Sequence, residues 1–254
     1  MKIFPEHANV HNLVRTKFGI DPTFNRLHIG HLVPLAWLKK QEKRDVTIVL
    51  GTITARLGDP SGQDTTRPIL SKFQVEQNAE AIRKQVKRVL PFVRLVEQAE
   101  LSATQLLEIS SHFSVSKVMS RDGFKKRESI GLHELSVPIL QAMDSVVLQT
   151  QLEVGGEDQL FNFQLTRDVQ VLHNQKPEAC LMFPIIRGTD GEKMSKSKDN
   201  CIWLDDPQIG RRILSISDEV MDEWFPLFCD DEPNQHPFER KKQLAAAVEQ
   251  LCNE

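Results

Sequence analysis

Tyrosine is missing from all 254 positions, so no phenolic hydroxyl is available anywhere in the chain to bond a ligand or a buried partner. Cysteine is scarce. Cys180, Cys201, Cys229 and Cys252 stand far apart, which excludes the close pairs of zinc and dithiol motifs, and no metal-ligand set is assigned. Reduced thiols in a cytoplasmic protein are the expectation. No apolar run approaches the ~20 residues a membrane-crossing helix needs. The opening Met1-Lys2-Ile3-Phe4-Pro5-Glu6-His7 has neither a long apolar core nor a small-residue cleavage site, so it does not read as a secretory leader. Strong charge of one sign is also missing. The net charge is −3, so any contact with a polyanion must use local patches, and runs such as Lys125-Lys126-Arg127 read first as solvated faces.

What is present fits an α/β protein. Asp45-Val46-Thr47-Ile48-Val49-Leu50-Gly51 is a β-branched run bounded by charge and glycine, a buried parallel strand by pattern. A lead-in helix is expected from Asn12 to Lys17, and another from His31 to about Lys43. Apolar residues recur at helical spacing from Phe73 to Val89. Ser102 is placed to cap a helix reaching Ser111. Further helices are expected over Phe113 to Arg127, Leu132 to Leu152 with a break near Pro138, and Leu160 to Leu172. Val154 to Gln159 reads as a loop and Cys180 to Ile186 as a strand. The pattern is helical again from Gln208 to Leu214, Glu219 to Phe228 and Glu239 to Leu251. The fold class expected is a Rossmann-like α/β nucleotide-binding domain over residues 1–205, with a helical insertion over about 72–150. Residues 206–254 form a short C-terminal helical appendage.

Two polar stretches carry the chemistry. In Arg26-Leu27-His28-Ile29-Gly30-His31-Leu32 a turn hands over to a helix. A helix N-terminus presents unpaired N–H groups and partial positive charge, which suits a phosphate. Gly30 permits close approach there, and His28 and His31 can donate to it. Far downstream, Gly188-Thr189-Asp190-Gly191-Glu192-Lys193-Met194-Ser195-Lys196-Ser197-Lys198 is a small, lysine-bearing loop.

His-Ile-Gly-His followed at this distance by Lys-Met-Ser-Lys-Ser resembles the paired signature of class I aminoacyl-tRNA synthetases. Within that class the chain looks most like the bacterial tyrosyl-tRNA synthetases. The similarity runs through Gly19-Ile20-Asp21-Pro22-Thr23, Leu57 to Gly62, His112-Phe113-Ser114-Val115, Phe124 to Arg127 and Gly155-Gly156 with Asp158-Gln159. The tryptophanyl sister family is the second choice for specificity.

The resemblance implies activation of an amino acid, tyrosine first, by ATP with its Mg2+, and transfer to tRNA. It implies that His28, His31, Lys193 and Lys196 stabilise the phosphates, and that Thr23, Gly30, Asp158, Met194, Ser195 and Ser197 hold ATP. Lys17, Gly19, Asp21, Asp59, Gln141, Asp144 and Gln159 would surround the amino acid, with Asp144 at the position that reads a phenolic hydroxyl. It also implies a homodimer built through residues 112–127.

Two departures accompany it. Val137 and Met143 stand where the family carries tyrosines. The first of those normally bonds the substrate amino group, an interaction worth about 1.5–3 kcal/mol, or roughly ten- to a hundred-fold in affinity. The chain also stops near the start of the family's RNA-binding region, which reads as a truncation. A tRNA-independent amino-acid activator and a catalytically silent paralogue are therefore the alternative functions.

Overall fold

The computed structural model describes residues 1–41, 43–58, 69–120, 124, 130–192, 194, 200–230 and 236–253. Two compact units are present. One comprises Met1–Phe24, Lys43–Ala79 and Val93–Phe183; the other comprises Asn25–Glu42, Glu80–Phe92 and Pro184–Glu254.

The first unit holds a six-stranded sheet of order β1-β6-β5-β2-β3-β4. Its strands are β1 (Lys2–Phe4), β2 (Arg15–Ile20), β3 (Asp45–Leu50), β4 (Arg94–Glu97), β5 (Leu152–Gly156) and β6 (Ala179–Phe183). All neighbours are parallel except β1, which runs antiparallel to β6. The chain moves outward from β2 through β3 to β4, then returns to the other side of β2 with β5 and β6. Succession therefore reverses between β2 and β5, and in such sheets ligands bind beyond the carboxyl ends of the strands at that point. Gly19, Asp21, Thr23, Asp158 and Gln159 all belong to the segments that end there.

Three strands differ from expectation. Asn12 to Lys17 is not helical, because Arg15–Ile20 is the central strand β2. Lys17 is only 1 % exposed there, a charge where the strand pattern calls for an apolar residue. β5 occupies much of the expected Val154–Gln159 loop. β4 lies within the stretch read as a helical insertion. The helices include α1 (Ile29–Lys39), α2 (Thr54–Leu57), α3 (Lys72–Val89), α4 (Ala103–Ser110), α5 (Val115–Met119), α6 (Val137–Leu148) and α7 (Leu160–Leu172). Ser102 caps α4 as expected, accepting from the Gln105 amide. Phe73, the first residue of the α3 stripe, is exposed, whereas Val75, Ala79, Ile82, Val86 and Val89 are buried. The helix expected over Phe113 to Arg127 is seen as α5, with residues 121–123 and 125–129 outside the described ones.

In the sheet unit, Ile139, Ala142, Met143 and Val146 of α6 pack against Leu165 and Val169 of α7. The opposite stripe of α6 is polar and carries Gln141, Asp144 and Ser145. The second unit is helical. Beyond α1 it contains α8 (Ile209–Leu214), α9 (Asp218–Phe228) and α10 (Pro237–Asn253). Trp224 is fully buried there and donates its indole N–H to the Arg187 carbonyl at 3.2 Å.

Gly51, just past β3, is set by a close approach. A β-carbon there would lie 2.0 Å from Asp21 Oδ1 and 2.5 Å from Thr54 Oγ1, the two atoms that form a 2.7 Å hydrogen bond. Gly51→Ala is therefore expected to destabilise the protein by about 1–3 kcal/mol, the usual range for overpacking a tight site. Denaturant midpoints measure this, and a loss below about 0.5 kcal/mol, the level of a neutral surface change, would show that the loop absorbs the methyl group.

Candidate functional site

Helix α1 begins at a cap made of two histidines. His28 is extended and its Nδ1 accepts the Gly30 amide at 3.2 Å; His31 Nδ1 accepts the His28 amide at 3.2 Å. A backbone amide can only donate, so each Nδ1 is unprotonated and each neutral ring carries its proton on Nε2. The rings lie 4.0 Å apart. A β-carbon on Gly30 would press to 3.0 Å against the His28 ring, so this glycine gives the capping imidazole its room.

The extended entry to α1 is pinned by the segment before Asp205. Ile29 N donates to the Ile202 carbonyl and Leu204 N to that of Leu27, both at 2.9 Å. Arg26 stacks on the Trp203 ring and donates Nε to Asp205 at 2.8 Å. From α3, the buried Gln85 accepts the Leu27 amide and donates to the Asn25 carbonyl, each at 2.9 Å. Gln85 carried no sequence signal, being one amide on a polar helix.

The second polar stretch reaches the same cap. Met194 Sδ lies 3.8 Å from where a Gly30 β-carbon would stand. The base of its loop is tied by Gly188 N to the Glu192 carbonyl, Thr189 N to the Asn200 carbonyl, and Asn200 Nδ2 to Asp190 Oδ1. Lys193, Ser195, Lys196 and Ser197 lie outside the described residues, as does Asp59.

In the sheet unit, one face of β2 and β5 carries a buried polar network. Lys17 and Glu153 stand opposite each other in register and pair at 2.8 Å, with side chains 2 % and 1 % exposed. Burial lowers the Lys17 pKa, but Glu153, Glu178 and Asp144 together outweigh it and hold the ammonium above its ordinary value. Lys17 Nζ also donates to the Gln141 carbonyl at 3.2 Å. Gln141 Nε2 donates to Glu153 at 3.2 Å, while its Oε1 accepts Asn162 Nδ2 at 2.8 Å. The same Asn162 nitrogen donates to Gln159 Oε1 at 2.8 Å. The structure thus brings Lys17, Gln141 and Gln159 together. Glu153 and Asn162, which join them, were given no role: Glu153 lies in no motif, and Asn162, though within the similar stretch Asp158-Gln159-Leu160-Phe161-Asn162, has a partner only once the chain folds.

Gly19 lies on the Lys17 face of β2, with nothing within 4 Å of a β-carbon built on it. Asp158 is exposed in the turn Glu157–Gln159 after β5. Asp21 accepts from Thr54, and Thr23 N donates back to the Asp21 carbonyl at 2.8 Å. Asp144 is almost wholly buried. Its Oδ1 accepts the Ala99 amide at 2.7 Å and its Oδ2 accepts Gln98 Nε2 at 3.3 Å. Gln98 in turn accepts the Thr54 amide at 2.9 Å. Asp144 is therefore linked through Gln98 to Thr54 and Asp21, and each of its oxygens keeps a second lone pair. Burial, reinforced by Glu153 and opposed by Lys17 and the two donors, pushes its carboxyl up to about 6.

The class I family model for tRNA synthetases (W and Y) matches residues 9–237. A tyrosine–tRNA ligase of Aquifex aeolicus is 38% identical over 92% of this chain and 66% of its own length. One from Shewanella oneidensis is 40% identical over 84% of this chain and 58% of its own. The chain thus spans somewhat less than two thirds of these relatives. Among solved structures, a tyrosyl-tRNA synthetase from Archaeoglobus fulgidus complexed with L-tyrosine superposes with TM-score 0.75 at 20% identity, over 94% of this chain and 88% of that one.

The raised Asp144 pKa makes stability pH-dependent. A carboxyl with a higher pKa folded than unfolded favours the folded state when protonated. That contribution is complete below the ordinary value of 3.8 and is lost as pH rises through about 6. Asp144→Asn places an amide opposite the donor Gln98 and costs stability at low pH. The wild-type advantage over it is expected to shrink by about 2–2.5 kcal/mol between pH 4 and 7, from roughly 1.4 kcal/mol per pKa unit with the unfolded carboxyl already partly ionised at pH 4. A stability gap that stays constant over this range would contradict a titrating Asp144.

Proposed function

Because the chain belongs to the class I tRNA synthetases (W and Y), we propose that it activates an amino acid with ATP and passes the acyl group to tRNA. An amino-acid carboxylate oxygen attacks the α-phosphorus. The bond to the bridging oxygen breaks, and pyrophosphate leaves with the electron pair. The aminoacyl group then moves to a ribose hydroxyl of tRNA. No covalent enzyme intermediate is needed, so the protein's part is positioning and charge stabilisation.

The observation that carries this reading is the double-histidine cap of α1 with Met194 beside it. Backbone amides hold both Nδ1 atoms, so both Nε2–H groups are set as donors at a helix end that already favours anions. His28 and His31 hold phosphate oxygens whose charge grows in the transition state. Lys193 and Lys196 are point charges for the departing pyrophosphate, and Ser195 and Ser197 serve the ATP beside them. Mg2+ arrives on the ATP phosphates as part of the substrate. Thr23 and Asp158, at the carboxyl ends of β2 and β5, serve the nucleotide, Asp158 through its ribose.

Gly19, Asp21, Asp59, Gln141, Asp144 and Gln159 receive the amino acid. Tyrosine is the substrate best supported, because the relatives act on it by name and Gln141 and Asp144 are retained. Residues 1–205 form the catalytic part. Leu107, Val115 and Leu132 are exposed apolar side chains around residues 112–127, which supports a homodimer through that surface. The working compartment is the cytoplasm.

Cap and phosphate roles separate by mutation. Asparagine is a good N-cap but has no donor at the Nε2 position. His28→Asn is expected to keep its melting temperature close to wild type while lowering tyrosine-dependent ATP–pyrophosphate exchange by about 10²–10³-fold, the loss typical of one transition-state donor. His28→Ala loses the cap as well, about 1 kcal/mol of stability. Exchange by the unaltered protein with no amino acid at all would sink the activation reading, and charging of total tRNA tests the acceptor.

A further inference from the structure

The amino ends of the central strands carry charges that the activation chemistry leaves unused. Arg15, Asp45 and Arg94 are the first residues of β2, β3 and β4. That end is opposite the one where ligands of such sheets bind. Arg15 stands opposite Asp45 in register, and Thr47, two residues further along β3, stands opposite Arg94. Side chains alternate along a strand, so these four project from one face of the sheet. Together with Gln149 and Thr150, at the end of α6, they line a cavity of about 200 Å³.

The polar groups around this cavity are largely unspent. Arg15 does not pair with Asp45 beside it. Its Nε donates instead to the Gln149 carbonyl at 2.7 Å, which leaves both Nη groups over. Among the described residues, neither the Asp45 carboxylate nor the Arg94 guanidinium has a hydrogen-bond or ion-pair partner. The Thr47 hydroxyl has none there either, in a residue only 5 % exposed. Thr150, 3 % exposed, also has a buried hydroxyl without a partner. Buried hydroxyls are normally paired, so this is polar space that calls for an occupant.

Charge, size and hydrogen-bonding sense together describe that occupant. Two guanidiniums face one carboxylate, so the cavity is net positive and rich in donors, which suits an anion. Its volume of about 200 Å³ equals roughly seven waters at about 30 Å³ each. That is below the range of about 300–1,000 Å³ for pockets that take drug-sized molecules, so the anion has only a few heavy atoms. Asp45 can only accept, so the anion must bring a hydroxyl of its own. We propose that this cavity is a site for a small protonated oxyanion, inorganic phosphate first, held by Arg15, Arg94 and Thr47 and selected by Asp45. Sulfate has no proton near neutral pH and would turn a bare oxygen toward that carboxylate. The site uses none of the residues assigned to ATP or the amino acid, so it stands or falls apart from the activation reading.

The test is calorimetric titration of the whole chain with sodium phosphate and with sodium sulfate, at matched ionic strength near pH 7. Phosphate is expected to bind, and sulfate to bind about tenfold more weakly or worse, as for one hydrogen bond lost at a charged group. Arg94→Gln alters an exposed side chain and is expected to weaken phosphate by about tenfold or more, with the melting temperature unmoved. Asp45→Asn supplies an amide that can donate, and is expected to erase the preference for phosphate over sulfate. A phosphate held instead at the start of α1 is told apart by His28→Asn, which the site proposed here survives. Heat from neither anion, equal affinity of the unaltered protein for the two, or phosphate binding that Arg94→Gln leaves intact overturns the proposal.

Discussion

A single ammonium buried among three carboxylates governs the polar half of the sheet unit. Lys17 faces Glu153, Glu178 and Asp144 with almost no water. Full ionisation would leave two uncompensated negative charges in a low-dielectric interior, which proteins avoid by shifting protonation. Glu178 is pushed well up by burial and by Glu153, and Asp144 is pushed up to about 6. Both shifts favour the uncharged acid and so lessen the negative charge gathered around Lys17. Stranding either member of a buried pair such as Lys17 with Glu153 typically costs about 3–5 kcal/mol. The ion pair is weak evidence for stability in itself, but it dictates the direction of every amide bonded to it.

The same logic operates in the helical unit by a different route. There the one-way groups are backbone amides at the start of α1, which can only donate. They fix the tautomer of two imidazoles as firmly as Glu153 fixes the amide of Gln141. In both places the side chain facing outward is ambiguous in isolation, and a buried group with a single hydrogen-bonding sense resolves it. Gly30 and Gly51 serve this arrangement by leaving room for a polar side chain to fold back over the main chain.

Much of the architecture was legible in the sequence, and the exceptions have physical causes. The strand Asp45–Leu50, helix Leu160–Leu172 and the Ser102 cap carry their signals locally, in β-branching, periodicity and a capping residue. β2 was read as helix because Lys17 interrupts its apolar alternation, and that lysine is acceptable only beside Glu153, a partner 136 residues away in sequence. β5 was read as loop because Gly155-Gly156 looks like a turn. A β-carbon on Gly155 would stand 2.8 Å from Phe163, so the glycine answers to packing. Gln85, Gln98, Glu153 and Asn162 were given no role for a common reason. A lone amide or carboxylate acquires meaning only from what folding places opposite it.

The two family tyrosines replaced in this chain also separate once α6 is seen in three dimensions. Met143 belongs to the apolar stripe that packs with Ile139, Ala142 and Val146 against α7. A thioether there fills the core, so its presence follows from packing and says little about a ligand. Val137 lies four and seven residues before Gln141 and Asp144, spacings that put it on their stripe. It is 1 % exposed and has no hydrogen-bonding group to add. The polar work of that stripe therefore starts at Gln141, whose orientation depends on Glu153 and, through it, on Lys17. Losing a phenol at position 137 leaves this chain of command intact, because none of its hydrogen bonds passes through that position.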